Sequence, residues 1–336
     1  MPDTIAEIGE RALVERIRLR AGLPPPWLHI GIGDDAAVFQ PDRGTLQVIT
    51  SDGLVEDVHF ETAWTSPGAI GYKAVAINLS DLAAMGAEPR GLLLSLSLPS
   101  TYAAADFDAL VDGAIAAASD ARAHLVGGNL ARSRGPVVVD VTAFGSVRPR
   151  RVLTRAGGRP GDEIYVTGTL GAAAAGLMAF RRHLADRAAL SPEVADCVDR
   201  YERPRARVRC GMVVGRSRSA HAAIDLSDGI AAAARQLAEA SGTGVVIDGG
   251  RVPVHPGAVT WANGLGADPV RIAISGGEDY ELLFAVPARR RRAFEHAIAQ
   301  CRGLAVTSVG HLTKDAGAWL DLNGTREPLG SGFQHF

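Results

Sequence analysis

Apolar positions recur along this chain with two periods, and the switches between them mark its elements. At the start, Ile5, Ile8, Ala12, Leu13 and Ile17 stand at helical spacing and predict an amphipathic helix. "LQVITS" (46–51) reads as a strand ending at Asp52. Ser66-Pro67 opens a helix, with serine as N-cap and proline in the first turn, and Gly86 stops it. "GLLLSLSL" (91–98) is an apolar run that turns into alternation, as in a strand with one covered face. Residues 103–122 predict a helix, "HLVGGN" (124–129) a short strand into a glycine turn, and "PVVVDVTAFGSV" (136–147) a long strand.

The second half repeats the style. "EIYVTG" is a strand, and "AAAAGLMAFRRHL" after it is a helix. "AAIDLSDG" (222–229) is a strand running into the helix "IAAAARQLAEA", and "GVVID" is a further strand. "RIAISGGEDYELLFAV" (271–286) reads as two strands around a glycine turn, before a last helix, a strand and a short tail. Helices and strands alternate, yet several strands are long and adjacent. The expected class is α+β with mixed sheets, not a doubly wound parallel sheet. The arginine-, glycine- and proline-rich stretch "RPRRVLTRAGGRPGDE" marks a domain boundary, giving domains 1–148 and 149–336. A short echo between halves, "LSDLAA" against "LSDGIAA", is too brief to argue duplication.

Composition narrows the function. The 336 residues exceed what one core usually spans. A net charge of −2 offers nothing to hold nucleic acid or an anionic membrane, and no apolar run is long enough to span a bilayer. The N-terminus mixes acids with arginines and does not read as a signal peptide. Cys197, Cys210 and Cys301 are scattered without a CxxC pair, which fits a reducing cytoplasm and excludes a cysteine zinc site. The chain has two lysines, Lys73 and Lys314, and no P-loop pattern.

The chemistry lies in acids at strand ends and glycine turns. These are Asp34 and Asp35 in "GIGDDAA", Asp52 in "ITSDG", Asp225 and Asp228 in "IDLSDG", and Glu278 and Asp279 in "SGGEDYEL". Singly, each has an ordinary reading as a turn or cap residue. Asp81 differs: it lies inside the apolar helix "AVAINLSDLAAM" and needs a partner, with Lys73 a candidate two turns away. Asn78 can reach the same side. Together, oxygen donors of the Asp, Thr and Ser type suit magnesium, and magnesium usually accompanies phosphates. The glycines of "VGGN" and "SGGE" would let backbone N–H groups approach those phosphates.

The blocks "GIGDDAAV", "SDGLVEDVHF", "GYKAVAINLSDLAAMGAEP", "VLTRAGGRPGDEIYVTG", "AIDLSDGI" and "SGGEDYELLFAVP", with the tail "GFQHF", resemble the thiamine-monophosphate kinase family. They run in order from about residue 30 to the end. The wider superfamily is that of aminoimidazole ribonucleotide synthetase. The resemblance implies two α/β domains, with the N-terminal one binding ATP and magnesium and carrying the homodimer contact through its sheet. The C-terminal domain would complete the active site. Asp34, Asp35, Thr50, Ser51, Asp52, Asp81, Asn129, Asp225 and Asp228 would hold or support magnesium ions. Of these, Asp35, Asp52, Asp81 and Asp228 would be central to catalysis. Gly128, Asn129, Arg155 and Ser227 would contact ATP, and His59, Glu278 and Phe333 would contact thiamine monophosphate. The implied reaction is direct transfer of the γ-phosphoryl group to thiamine monophosphate, in the cytoplasm. That nucleophile is already an anion near neutral pH, so no general base is needed.

The chain departs from the family at two places. The family's Gly-Gly-Asp-Thr turn reads "GGNLA" here, so Asn129 stands for an aspartate and Leu130 for a threonine. Position 53 is Gly, where the family often has a larger residue. Three readings of Asn129 stay open: a working kinase with weaker or fewer magnesium ions, an enzyme with another acceptor, or a non-catalytic nucleotide-binding dimer. Selenophosphate synthetase and the hydrogenase-maturation relative fit poorly. No cysteine precedes Cys197, and the chain ends in Phe336.

Overall fold

The computed structural model describes residues 4–182 and 190–332. The chain divides into two compact units, Met1–Leu82 with Glu88–Pro149, and Ala83–Ala87 with Arg150–Phe336. The first contains α1 (Ile5–Ile8), α2 (Glu10–Ala21), β1 (Leu28–Ile30), β2 (Val38–Phe39), β3 (Leu46–Val55) and most of α3 (Pro67–Ala84). It continues with β4 (Glu88–Pro99), α4 (Ala104–Asp120), β5 (His124–Ser133) and β6 (Val138–Val147). The second contains β7 (Glu163–Thr167), α5 (Ala172–Arg182), α6 (Pro192–Glu202), α7 (Val208–Ser217), β8 (Ala222–Asp225), α8 (Ile230–Ser241) and β9 (Gly244–Asp248). It ends with α9 (Pro256–Leu265), α10 (Pro269–Ser275), β10 (Leu282–Val286), α11 (Arg291–Ile298), β11 (Val306–Thr313), β12 (Ala318–Leu322) and β13 (Thr325–Pro328).

The first unit's main sheet has the order β3-β6-β4-β5; β4 and β5 run parallel and the other pairs antiparallel. Alternation along β4 buries Leu92, Leu94, Leu96 and Leu98 on one face and leaves Leu93 and the intervening serines on the other. The N-cap reading of α3 is correct: the Ser66 hydroxyl accepts from the Ala69 N–H at 3.3 Å. Gly71 and Gly113 let α3 and α4 approach closely, since a Cβ on either would sit about 2 Å from a carbonyl oxygen of the other helix's segment. This contact sets how α3 lies, and with it Asn78 and Asp81.

The second unit's sheet has the order β13-β12-β9-β11-β7-β10-β8, antiparallel except for the β12–β9 pair. One apolar cluster packs β7, β8, β9 and β10 against α8, including Ile164, Ile224, Leu237 and Ile247. Another surrounds Phe284 and Phe294, with α7 and α11. Both sheets are mixed, and the α+β class expected from the pattern holds.

Four local expectations need correction. The N-terminal helix is broken at Gly9, whose φ of 80° separates α1 from α2. β3 continues past Asp52 to Val55, because its pairing with β6 runs unbroken from Leu46 to Val55. β5 does not turn at its glycines: the strand runs through Gly127 and Gly128, paired with Leu93 and Leu94. The segment "RIAIS" is helical, not a strand. Pro269 opens α10, and the Asp268 carboxylate caps it by accepting the Val270 N–H at 2.9 Å. Among the described residues, no helix is long and apolar enough to cross a membrane.

Candidate active site

In the first unit, two of the predicted acids, Asp52 and Asp81, lie where β3 meets α3. Alternation along β3 turns Thr50 and Asp52 to one face and Ser51 to the other. Thr50 Oγ1 donates to Asp81 Oδ2 at 2.5 Å. The buried Asn78 clasps the backbone of Asp52: its Oδ1 accepts the Asp52 N–H at 3.0 Å, and its Nδ2 donates to the Asp52 carbonyl at 3.2 Å. One turn earlier on α3, the Ala74 carbonyl also accepts from Asn78 Nδ2 at 2.9 Å. Two ladders are thereby joined by one amide, which holds Asp52 beside Asp81. Thr50 thus gives Asp81 a partner inside the apolar helix, and Lys73, two turns earlier, is buried at 2% exposure.

Ser51 faces away from this seam. Its hydroxyl is 3.1 Å from Thr142 Oγ1 and 3.3 Å from the Val141 carbonyl it donates to. On the same face, register aligns Gly53, Asp140, Ser95 and Asn129 in one row across the four strands. A Cβ on Gly53 would fall 2.0 Å from Asp140 Oδ1, so the small residue makes room for the carboxylate of its cross-strand neighbour. Gly128 is needed for a different reason than a turn. It has φ 156°, and a Cβ would fall 1.8 Å from the Leu94 carbonyl. Asp34 and Asp35 are exposed; the Asp35 N–H donates to Asp34 Oδ1 at 2.8 Å. His59 Nδ1 accepts the Val55 N–H at 3.1 Å, which leaves its proton on Nε2.

In the second unit, the "LSDG" and "SGGED" turns interlock by backbone. The Glu278 N–H donates to the Ser227 carbonyl at 2.6 Å, and the Tyr280 N–H to the Leu226 carbonyl at 3.1 Å. A Cβ on Gly229 would sit 2.3 Å from the Gly276 carbonyl, and one on Gly277 would sit 2.6 Å from that of Ser227. Glu278 and Tyr280 both hold positive φ, 66° and 48°, an uncommon backbone state that the interlock maintains. Asp225 ends β8 and is buried at 4% exposure. Ser227 and Asp228 follow it, and α8 begins at Ile230 with no side-chain cap on its first N–H groups. Arg155 donates to Gln236 Oε1 on α8 at 3.0 Å.

A buried polar layer supports these turns, and only Asp279 of it was singled out from the sequence. Asp279 accepts the Gly171 N–H at 2.7 Å and the Ala173 N–H at 3.1 Å, at the start of α5. Burial pushes its carboxyl up to about 7, against the pull of those two donors. Glu281, at 1% exposure, pairs through both oxygens with Arg207 and accepts from Thr167 Oγ1 at 2.5 Å. Burial works to lower the Arg207 guanidinium, but the Glu281 pair outweighs it and the net direction is upward. Nothing local in the sequence ties Arg207 to Glu281; only the fold brings them together. Phe333 lies outside the described residues.

The magnesium donors divide between the units. Asp34, Asp35, Thr50, Ser51, Asp52, Asp81 and Asn129 belong to the first, Asp225 and Asp228 to the second. Among the described residues no group of three or more His, Cys, Asp or Glu is gathered to hold a metal unaided. Magnesium is usually held by one or two carboxylates, with waters and substrate phosphates completing the shell. The Asp52–Asp81–Thr50 seam, all hard oxygen, fits that habit.

Two sheet-based units, each carrying acids on or beside its strands, match the models of the AIR synthase related protein N-terminal domain over residues 33–147 and C-terminal domain over 159–321. The chain belongs to that class. A thiamine-monophosphate kinase of Salmonella typhimurium is 36% identical over 308 residues, covering 91% of both chains, and one of Synechococcus elongatus is 34% identical over 99% of this chain and 98% of its own. Within the class, this chain is a member of the thiamine-monophosphate kinase family. Among solved structures, the Stenotrophomonas maltophilia thiamine-monophosphate kinase superposes with a TM-score of 0.81 at 37% identity, covering 92% of this chain and 95% of that one. AaThiL complexed with AMPPCP and TMP gives 0.78 at 30% identity over 98% of each. The hydrogenase maturation protein HypE of E. coli shares the fold, with a TM-score of 0.77 at 22% identity over 97% of this chain and 98% of that one.

Proposed function

We propose that the chain transfers the γ-phosphoryl group of ATP to the phosphate of thiamine monophosphate, giving thiamine diphosphate. The observation that carries this reading is the pair of supported acid sites, in a chain whose relative AaThiL was solved with AMPPCP and TMP. The N-terminal domain, residues 1–148, serves ATP and magnesium; the C-terminal domain, 149–336, completes the active site. Asp35, Asp52 and Asp81 in the first unit, and Asp225 and Asp228 in the second, hold magnesium. Asp34 and Thr50 support them, while on the opposite face of the sheet Ser51 offers a hydroxyl and Asn129 an amide oxygen in place of a carboxylate. Magnesium supplies charge neutralisation where one polyanion must approach another. Gly128, Arg155 and Ser227 meet ATP, with the uncapped first turn of α8 as a ready seat for phosphate oxygens. His59 presents Nε2–H, and the Glu278 backbone is fixed by its clasp on Ser227; these two, with Phe333, meet thiamine monophosphate. No side chain takes the phosphoryl group in passing, so transfer is direct.

The protein works as a cytoplasmic homodimer. Exposed apolar residues on the edge strand β3 and its sheet support the pairing: Leu46 is 49% exposed, Ile49 69% and Leu93 37%. Incubation with ATP, excess magnesium and thiamine monophosphate should yield thiamine diphosphate by chromatography. Asn129→Asp run alongside should keep the activity and lower the magnesium concentration required. Bound ATP with no product from either protein would sink the reading in favour of another acceptor or a non-catalytic role. A monomeric mass in solution would remove the dimer.

A further inference from the structure

Cys210 and Cys301 are scattered in the chain but adjacent in the second unit. Cys210 lies in the first turn of α7, and Cys301 follows the end of α11. Both belong to the cluster around Phe284 and Phe294. They also share the wall of a cavity of about 290 Å³, with Arg207, Arg209, Gln300 and Arg302. Cys210 is 1% exposed and Cys301 7% exposed. The kinase chemistry has no use for this place.

The surroundings treat the two sulfurs differently. Cys301 is drawn below the usual thiol range, first by the hydrogen bond from Cys210, then by the guanidinium charges of Arg209 and Arg207, against the opposing effect of burial. Cys210 is pushed up, first by donating to Cys301, then by burial, with Glu281 adding to the rise. Arg207 does not swing free, because its guanidinium is held on Glu281 by two bonds. Two thiols on the wall of one arginine-lined cavity, with Cys301 the more exposed and Cys210 the more deeply buried, suit an attacking and a resolving cysteine. Cys197 is the built-in contrast. It is fully buried, its Sγ lies 3.3 Å from His255 Nδ1, and burial pushes it up to about 12.

We propose that Cys210 and Cys301 form a dithiol–disulfide site for hydrogen peroxide, reversed by an external thiol. The Cys301 thiolate attacks one peroxide oxygen; the O–O bond breaks, leaving a sulfenic acid on Cys301 and hydroxide. The Cys210 sulfur then attacks the Cys301 sulfur, and the S–O bond breaks. Water departs with the Cys210 proton, and a disulfide remains. Two thiols are oxidised by two electrons, one peroxide is reduced, and two waters result.

The test is hydrogen peroxide treatment of the native protein, then alkylation and peptide mass spectrometry. The expected product is a Cys210–Cys301 linked peptide, reversed by dithiothreitol, with Cys197 still alkylated only after unfolding. All three thiols unoxidised in the folded protein, or oxidation stopping on Cys301 with Cys210 still free, would overturn the proposal. Cys210→Ser should trap a dimedone-reactive sulfenic acid on Cys301, whereas Cys301→Ser should give none on Cys210. A sulfenic acid on Cys210 instead would reverse the assignment and count against it. The native-protein result stands by itself if either variant fails to fold.

Discussion

The two units hold their acids by different means. In the first, side chains do the holding: Asn78 clasps the Asp52 backbone and Thr50 meets Asp81, on a seam whose carboxylates reach solvent. In the second, the backbone does it: two glycine turns interlock, two non-glycine residues are kept at positive φ, and a buried ion pair lies beneath. Replacing the Asp52 carboxylate on the open seam leaves its backbone clasp in place. Disturbing the layer under the second unit's turns removes the scaffold.

Three substitutions sharpen this contrast. The largest expected effect is on Arg207. Arg207→Ala strands the Glu281 carboxylate in a 1% exposed site, and about 3–5 kcal/mol of stability should be lost. The shift of the urea unfolding midpoint measures it; a loss under about 1 kcal/mol would mean the pair is not what supports the turns. Next comes Asp52→Asn. Its backbone clasp on Asn78 survives, so stability should stay within about 0.5 kcal/mol while kcat falls about a hundredfold. Loss of both in parallel would erase the distinction between the units.

The smallest effect is one of pH. The Asp279 carboxyl is raised from 3.8 to about 7 in the folded chain. The folded state therefore keeps this proton when the unfolded chain has released it. Its contribution to stability is complete below about pH 4 and is lost as pH rises through about 7. Asp279→Asn cannot titrate, so its stability should decline less than the native protein's between about pH 5 and pH 8. Parallel urea midpoints for the two proteins across that range would show that Asp279 does not carry the proton.

Much of this was legible from residue patterns. The Ser66-Pro67 start and the Gly86 stop of α3 are local signals, and the helix obeys them. The Asp268-Pro269 cap is an equally local signal, and it outweighs the β-like composition of "RIAIS". "VGGN" misleads because glycine marks turns in general. Here Gly128 instead answers a carbonyl 1.8 Å from where its Cβ would stand, in a neighbouring strand that no window of sequence contains. Gly53 has the same kind of cause, in the carboxylate of Asp140 across the ladder.

By itself the sequence determined which chemistry was on offer: oxygen donors of the Asp, Thr and Ser type, arginine in place of lysine, no P-loop and no metal-binding cysteine pair. It also determined most element boundaries, since periodicity, caps and stops act over a few residues. Only the tertiary structure decided which of those groups work together. The strand pleat turned Thr50 toward Asp81 and Ser51 away from it, and packing brought Arg207 to Glu281 across 74 positions and put Cys210 and Cys301 on one cavity wall. Pairing of that kind depends on how elements stack, and the side chains that meet there carry no local trace of each other.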